Sequence, residues 1–203
     1  MKRFFLFFLF CLLSGSCLPQ AKELMAERSV RYFNQTGAGF AFGVGNFKTD
    51  LVEGIQRSVR NDQTIIDLHT VNGISYLDRV YLGLGLGAEM WSSGLFFPIY
   101  GQISGTLKPA DNTIIASLGI GYAIGTRDST SRFHEGTGDV RVQVGIGFRN
   151  RVSRNLCFMY EFFYRYQAIS SDYSVWPNDS TTYLVDYKVP LSFVGFRIAI
   201  QLP

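Results

Sequence analysis

Two histidines are all the imidazole that this chain of 203 residues contains. His69 follows Asp67 at a spacing that sets both on one face of a β-strand, and His134 is followed directly by Glu135. A metal centre needs a third and a fourth ligand converging on the same point, and neither pair has one at suitable spacing. No cofactor or metal is therefore expected. Of the three cysteines, Cys157 stands far from Cys11 and Cys17, and it reads as a small buried residue. The remaining candidates are charges that keep one parity with small residues: Glu89, Arg141, Arg149, Glu161, Arg165 and Arg197. What they can do depends on which elements carry them and which way those elements face.

The N-terminus sets the compartment. Lys2 and Arg3 precede an unbroken apolar run over residues 4–13, followed by Ser14, Gly15, Ser16 and Cys17. A basic start, a short apolar stretch and small residues after it describe a secretory signal peptide, residues 1–17, with cleavage between 16 and 21. Ten apolar residues are too few to cross a bilayer as a helix. Ser14 and Ser16 suit a cut before Cys17, Ala21 offers a later one, and Leu13 lies one step too early for a lipoprotein signal. Loss of Lys2 and Arg3 takes the balance from 19 basic against 16 acidic residues to 17 against 16. A cut after Cys17 or Ala21 leaves Cys157 as the only cysteine, and no intrachain disulfide is then expected to hold the exported protein. Residues 18–31 read as a short N-terminal segment and 32–203 as the folded domain.

Composition narrows the class. Charged residues are 17% and aromatic residues 15% of the chain, which excludes a disordered or acidic solvating protein. A net charge of +3 without a basic run gives no case for nucleic acid. A mean hydropathy of +0.10 is too low for a bundle of membrane helices. Yet 21 glycines and 18 phenylalanines are both high counts.

Alternation sorts them. Past a short helical pattern over 21–29, apolar residues recur every second position over stretches broken by Gly, Asn, Asp, Ser or Pro. In residues 80–91, Val80, Leu82, Leu84, Leu86, Ala88 and Met90 share a face, and Tyr81, Gly83, Gly85, Gly87, Glu89 and Trp91 share the other. Residues 114–125, 140–149 and 156–167 repeat the pattern, and 32–45, 63–73, 96–107 and 191–202 follow it less cleanly. A bulge or register change at Pro190 is expected to join 183–189 to the last of them. The total is eight strands.

A soluble sandwich or barrel would turn the large apolar residues inward and polar ones outward. Here the second face is mostly Gly, Ala and Ser with scattered Gln, Arg and Glu, a poor solvent face because glycine weakens an exposed strand. It suits a narrow lumen in which small residues leave room for a few long ones. The fold class is therefore all-β, a transmembrane antiparallel up-and-down β-barrel with the large apolar residues facing lipid. Strands of this length cross a bilayer when tilted.

With both ends on the periplasmic side, the outer loops are 46–62, 92–95, 126–139 and 170–182, and the inner turns are 75–79, 108–112 and 150–155. Long outer loops with short inner turns are expected of this class. Trp91, Phe97, Tyr122, Tyr164 and Tyr166 then form an outer aromatic girdle, and Tyr32, Phe148 and Phe158 an inner one.

The stretches Thr70-Val71-Asn72-Gly73, Leu82-Gly83-Leu84-Gly85-Leu86-Gly87, Phe97-Pro98-Ile99-Tyr100 and Val194-Gly195-Phe196-Arg197-Ile198-Ala199-Ile200 resemble the small outer-membrane β-barrels of Gram-negative bacteria. The resemblance implies an OmpA/OmpX-like barrel, exported by its signal peptide and inserted into the cell outer membrane by the outer-membrane assembly machinery. Such barrels often finish on Phe, whereas this chain ends Gln201-Leu202-Pro203.

Charges in so narrow a lumen must pair, so the six named above are expected to form a structural network rather than a gated ion path. Eight strands leave no general pore. Some barrels of this size modify lipid A, which would need His, Ser and an acid converging near the outer leaflet. With His69 turned into the lumen and His134 in a loop, the chain reads as a non-enzyme. A lipid A deacylase or acyltransferase is the alternative, and a secreted soluble ligand-binding barrel is a second. Outer loops are the place left for interaction, with Tyr173 and Trp176 the best placed residues. The partners expected are outer-membrane lipid and lipopolysaccharide, with the chain a monomer.

Overall fold

The computed structural model describes residues 30–52, 55–91, 94–108, 111–125, 136–175 and 183–202. The signal segment, His134, Glu135 and Trp176 lie outside the described residues, and so does the side chain of Tyr173. Ten strands are present: β1 (Val30–Val44), β2 (Asn46–Val52), β3 (Ile55–Arg60), β4 (Thr64–Tyr76), β5 (Val80–Trp91), β6 (Gly94–Thr106), β7 (Asn112–Gly125), β8 (Gly136–Ser153), β9 (Leu156–Val175) and β10 (Tyr183–Leu202). Eight of them close an antiparallel barrel in the order β1-β10-β9-β8-β7-β6-β5-β4.

The register fixes its size. A path across the ladders from Val44 runs through Ser192, Tyr166, Val142, Ile120, Gly101, Leu84 and Asn72 and returns to β1 at Asn34. It comes back ten residues from where it started, and for eight strands that stagger means a tilt of about 40° and a backbone radius of about 8 Å. Side chains alone can fill such a cylinder.

The faces divide as the alternation predicts. Leu84 is 72% and Phe162 66% exposed on the outside, where most large apolar side chains of the barrel stand, while Arg165 is 0% exposed inside. Trp91 is a correction. It is buried in the lumen rather than set in an outer girdle, because its parity with Glu89 outweighs its position near the strand end. Tyr122, Tyr164 and Tyr166 do face outward at the loop end, as do Tyr32 and Phe148 at the end with the short turns. Pro190 is a second correction. β10 runs through it with an unbroken register against β9, Pro190 opposite Ala168.

The connection read as a loop over 46–62 is largely a hairpin, β2 paired to β3. Gly45, at φ +78°, makes the corner from β1 into β2, a conformation that glycine takes at no steric cost. Asn61 anchors the hairpin's base. Its amide donates to the Ser192 carbonyl at 2.7 Å, and its side chain lies over Gly43, where any Cβ would meet it.

Candidate functional site

The lumen holds the chemistry, in layers. Toward the loop end, Ala41, Ile65, Trp91, Phe96, Ala123, Phe193 and their neighbours form a buried apolar cluster. Trp91 stands 4.8 Å from Phe96 and 4.9 Å from Phe193 by ring centroids, and its indole N–H donates to Glu89 Oε2 at 3.3 Å. Phe47 of β2 packs against this cluster from above.

Beneath it lies an ion-pair network. Arg165 donates from Nη2 to Asp67 Oδ2 at 2.7 Å and from Nη1 to Glu89 Oε1 at 2.8 Å. Arg197 reaches Asp67 Oδ2 and Glu161 Oε2, both at 3.3 Å. Arg141 Nε lies 3.4 Å from Glu89 Oε1. The Gln143 carbonyl oxygen accepts from all three guanidiniums, at 2.9 to 3.2 Å, and the Ser117 hydroxyl donates to Glu161. Three carboxylates thus meet three guanidiniums, and the planar fork of Arg lets each reach several acceptors at once. Arg165 and Arg197 also lie over the Phe163 ring, 5.0 and 5.1 Å from its centroid.

Five of the six charges singled out in the sequence therefore come together: Glu89, Arg141, Glu161, Arg165 and Arg197. Arg149 does not join them. It donates to Gln201 Oε1 at 3.1 Å and lies over the Tyr81 ring, near the Phe33, Val71, Tyr81 and Tyr100 cluster. Asp67, which the sequence sets beside His69 as a possible metal ligand, and Gln143 are two further members of the network. The signal for both was parity with Glu89 and Arg141. His69 is buried with neither ring nitrogen hydrogen-bonded, and its ring fits against Gly37, where an added Cβ would lie 2.8 Å from Cε1. Cys157 is buried and free.

One feature of the outer wall breaks the apolar rule. On β1 and β4, Tyr32, Asn34, Thr36, Thr70 and Asn72 point outward and bond one another. Tyr32 OH and Asn34 Nδ2 donate to Asn72 Oδ1 at 2.6 and 2.8 Å, and the Thr36 and Thr70 hydroxyls lie 3.1 Å apart. Polar groups facing lipid must find partners within the protein, and this ladder supplies most of them.

A closed eight-stranded barrel, apolar outside and charged within, defines the class: its fold is that of an integral outer-membrane β-barrel. Known structures agree. Neisserial surface protein A has 8% sequence identity and a TM-score of 0.57, covering 85% of this chain and 97% of that one. The outer membrane protein OprG from Pseudomonas aeruginosa has 9% identity and a TM-score of 0.56, covering 86% and 95%. AlkL in DMPC lipid bilayers has 8% identity and a TM-score of 0.51, covering 86% and 90%. At such identities the likeness is one of fold. No protein-family model matches the chain, and no curated protein does.

Proposed function

We propose that this outer-membrane barrel is closed to solutes, carries out no catalysis, and serves as a structural and surface-interaction protein through the connections at its loop end. The observation that carries the reading is the filled lumen. The aromatic cluster around Trp91 and the network around Arg165 lie one above the other, with Arg141, Arg165, Arg197 and Gln167 at most 2% exposed. A solute would have to break several buried ion pairs to pass. Support for a non-enzyme comes from His69, buried on the lumen side of the wall and away from lipid. Support for an interacting surface comes from the β2–β3 hairpin, which adds paired structure to the loop end and braces it through Asn61. In this reading the loop end faces the cell surface, Tyr173 near the end of β9 and Trp176 just beyond that strand supply aromatic contact area, lipopolysaccharide surrounds them, and the barrel stands as a monomer.

The test is conductance. Purified barrel reconstituted in planar bilayers is expected to give no stable channel steps, and liposomes carrying it are expected not to swell in small sugars. Reproducible open levels, or swelling proportional to protein content, would overturn the reading.

A further inference from the structure

The rim that carries both strand termini and the short turns is cationic. Among the described residues Arg31, Arg79, Lys108, Arg151 and Arg154 stand there against Asp78 and Asp111. The two acids only partly offset the five bases. Asp78 Oδ2 lies 3.2 Å from Arg151 and 3.8 Å from Arg31, and Asp111 Oδ1 lies 3.6 Å from Arg151. At the exposures of these pairs such contacts hold little energy and exchange readily. Arg79, Lys108 and Arg154 have no acidic partner among the described residues.

The turn that carries Asp78 is strained. Leu77 and Asp78 both take positive φ, 53° and 52°, and Arg79 N–H closes the turn on the Tyr76 carbonyl at 3.0 Å. Such a turn is ordinarily made by Asn and Gly. Here two hydroxyls fix it: Tyr81 OH and Thr106 Oγ1 donate to the Asp78 carbonyl at 3.1 and 3.0 Å. In this turn the Asp78 carboxylate lies on Arg151 and Leu77 points outward, 51% exposed. Leu107 and Val152, 73% and 59% exposed, stand out likewise beside Lys108 and Arg151. Between the turns, Arg31, Arg151 and Arg154 line a depression of about 490 Å³ with Asp111, Ser153 and Asn155.

We infer that this rim is a binding site for anionic phospholipid headgroups. The depression cradles a phosphodiester on the guanidiniums of Arg31, Arg151 and Arg154, and the neighbouring turns hold further headgroups on Arg79 and Lys108. Guanidinium forks match phosphate oxygens two at a time, and each cation near an anionic leaflet adds to attraction. The exposed Leu and Val side chains mark a lipid rather than a soluble ester as the occupant: they meet acyl chains where the cations meet phosphate. The inference rests on the proposed orientation, which puts this rim in the periplasmic leaflet.

The test uses the full barrel in detergent, presented with equal amounts of phosphatidylethanolamine, phosphatidylglycerol and cardiolipin and read by native mass spectrometry. Retention of the anionic lipids over the zwitterionic one is expected, together with a loss on the order of tenfold in Arg151→Gln/Arg154→Gln. Lys108→Gln/Arg154→Gln touches only cations without an acidic partner among the described residues, and it should lower retention with heat-modifiable gel migration unchanged. Equal retention of all three lipids, or equal cardiolipin retention by wild type and both variants, overturns the site. Glycerophosphate that displaces cardiolipin at equal concentration overturns the lipid as its occupant. Orientation is read separately, by labelling Arg154→Cys with an impermeant maleimide. Labelling only after the outer membrane is opened supports the inner-leaflet placement, and labelling of intact cells overturns it whatever the lipid affinity.

Discussion

Arg165→Met is expected to cost the folded barrel about 3–5 kcal/mol. The guanidinium it removes holds Asp67 at 2.7 Å and Glu89 at 2.8 Å in a lumen where it is itself 0% exposed. Without it, Asp67 keeps Arg197 at 3.3 Å and Glu89 keeps Arg141 at 3.4 Å, and the network carries one uncompensated negative charge. Methionine fills much of the volume, so the loss is electrostatic rather than a cavity. The measurement is the urea midpoint of the heat-modifiable band. The double variant Arg165→Met/Glu89→Gln restores charge balance and should recover part of the loss, as expected when two groups act through one another. An unchanged midpoint for the single variant would show that the network is solvated and its pairs weak.

Gly147→Ala is expected to prevent barrel closure, and Gly101→Ala to be tolerated. Both sit in strand interiors, so intrinsic propensity treats them alike. Their surroundings do not. A Cβ at Gly147 runs into the backbone carbonyl oxygen of Tyr160 and lies 2.8 Å from the Glu161 Cα, both on the neighbouring strand β9, which cannot retreat without breaking the ladder. A Cβ at Gly101 meets nothing nearer than the Ile120 carbonyl oxygen at 3.9 Å and points to lipid. Alanine there should shift stability by no more than about 1 kcal/mol, in the favourable direction. The check is the fraction of each variant that migrates as folded barrel after refolding into detergent. Equal fractions would sink the argument that inward glycines serve close approach.

The fold was legible because period-two alternation survives in any strand with one apolar face, and an inside-out barrel makes that face long. Trp91 shows how the same signal can be misapplied. It shares parity with Glu89, and parity put it inside, but its place near a strand end suggested a girdle. The β2–β3 hairpin was illegible for the opposite reason: Lys48, Asp50, Arg57 and Arg60 leave it no continuous apolar face, so it read as solvated loop. Pro190 suggested a break, yet the ladder absorbs a missing N–H without a shift of register. In the lumen, parity told which charges point inward but not which of them meet. That depends on the ten-residue stagger of the closed barrel, which no local pattern encodes. Hence Asp67 was seen beside His69, two residues away, rather than beside Arg165 and Arg197, which lie 98 and 130 residues away.

That long separation bears on how the chain assembles. Asp67 and Glu89 are direct ladder partners on β4 and β5, and two like charges set opposite one another weaken a hairpin. Their main neutralising group, Arg165, belongs to β9, and Arg197 to β10. Arg141 of β8 reaches Glu89 at 3.4 Å, but Asp67 meets guanidiniums only on β9 and β10, so the repulsion at the centre of the opening hairpin is fully relieved only when those strands are in place. The opening hairpin is thus charge-balanced only in the closed barrel, by cations carried on β8, β9 and β10.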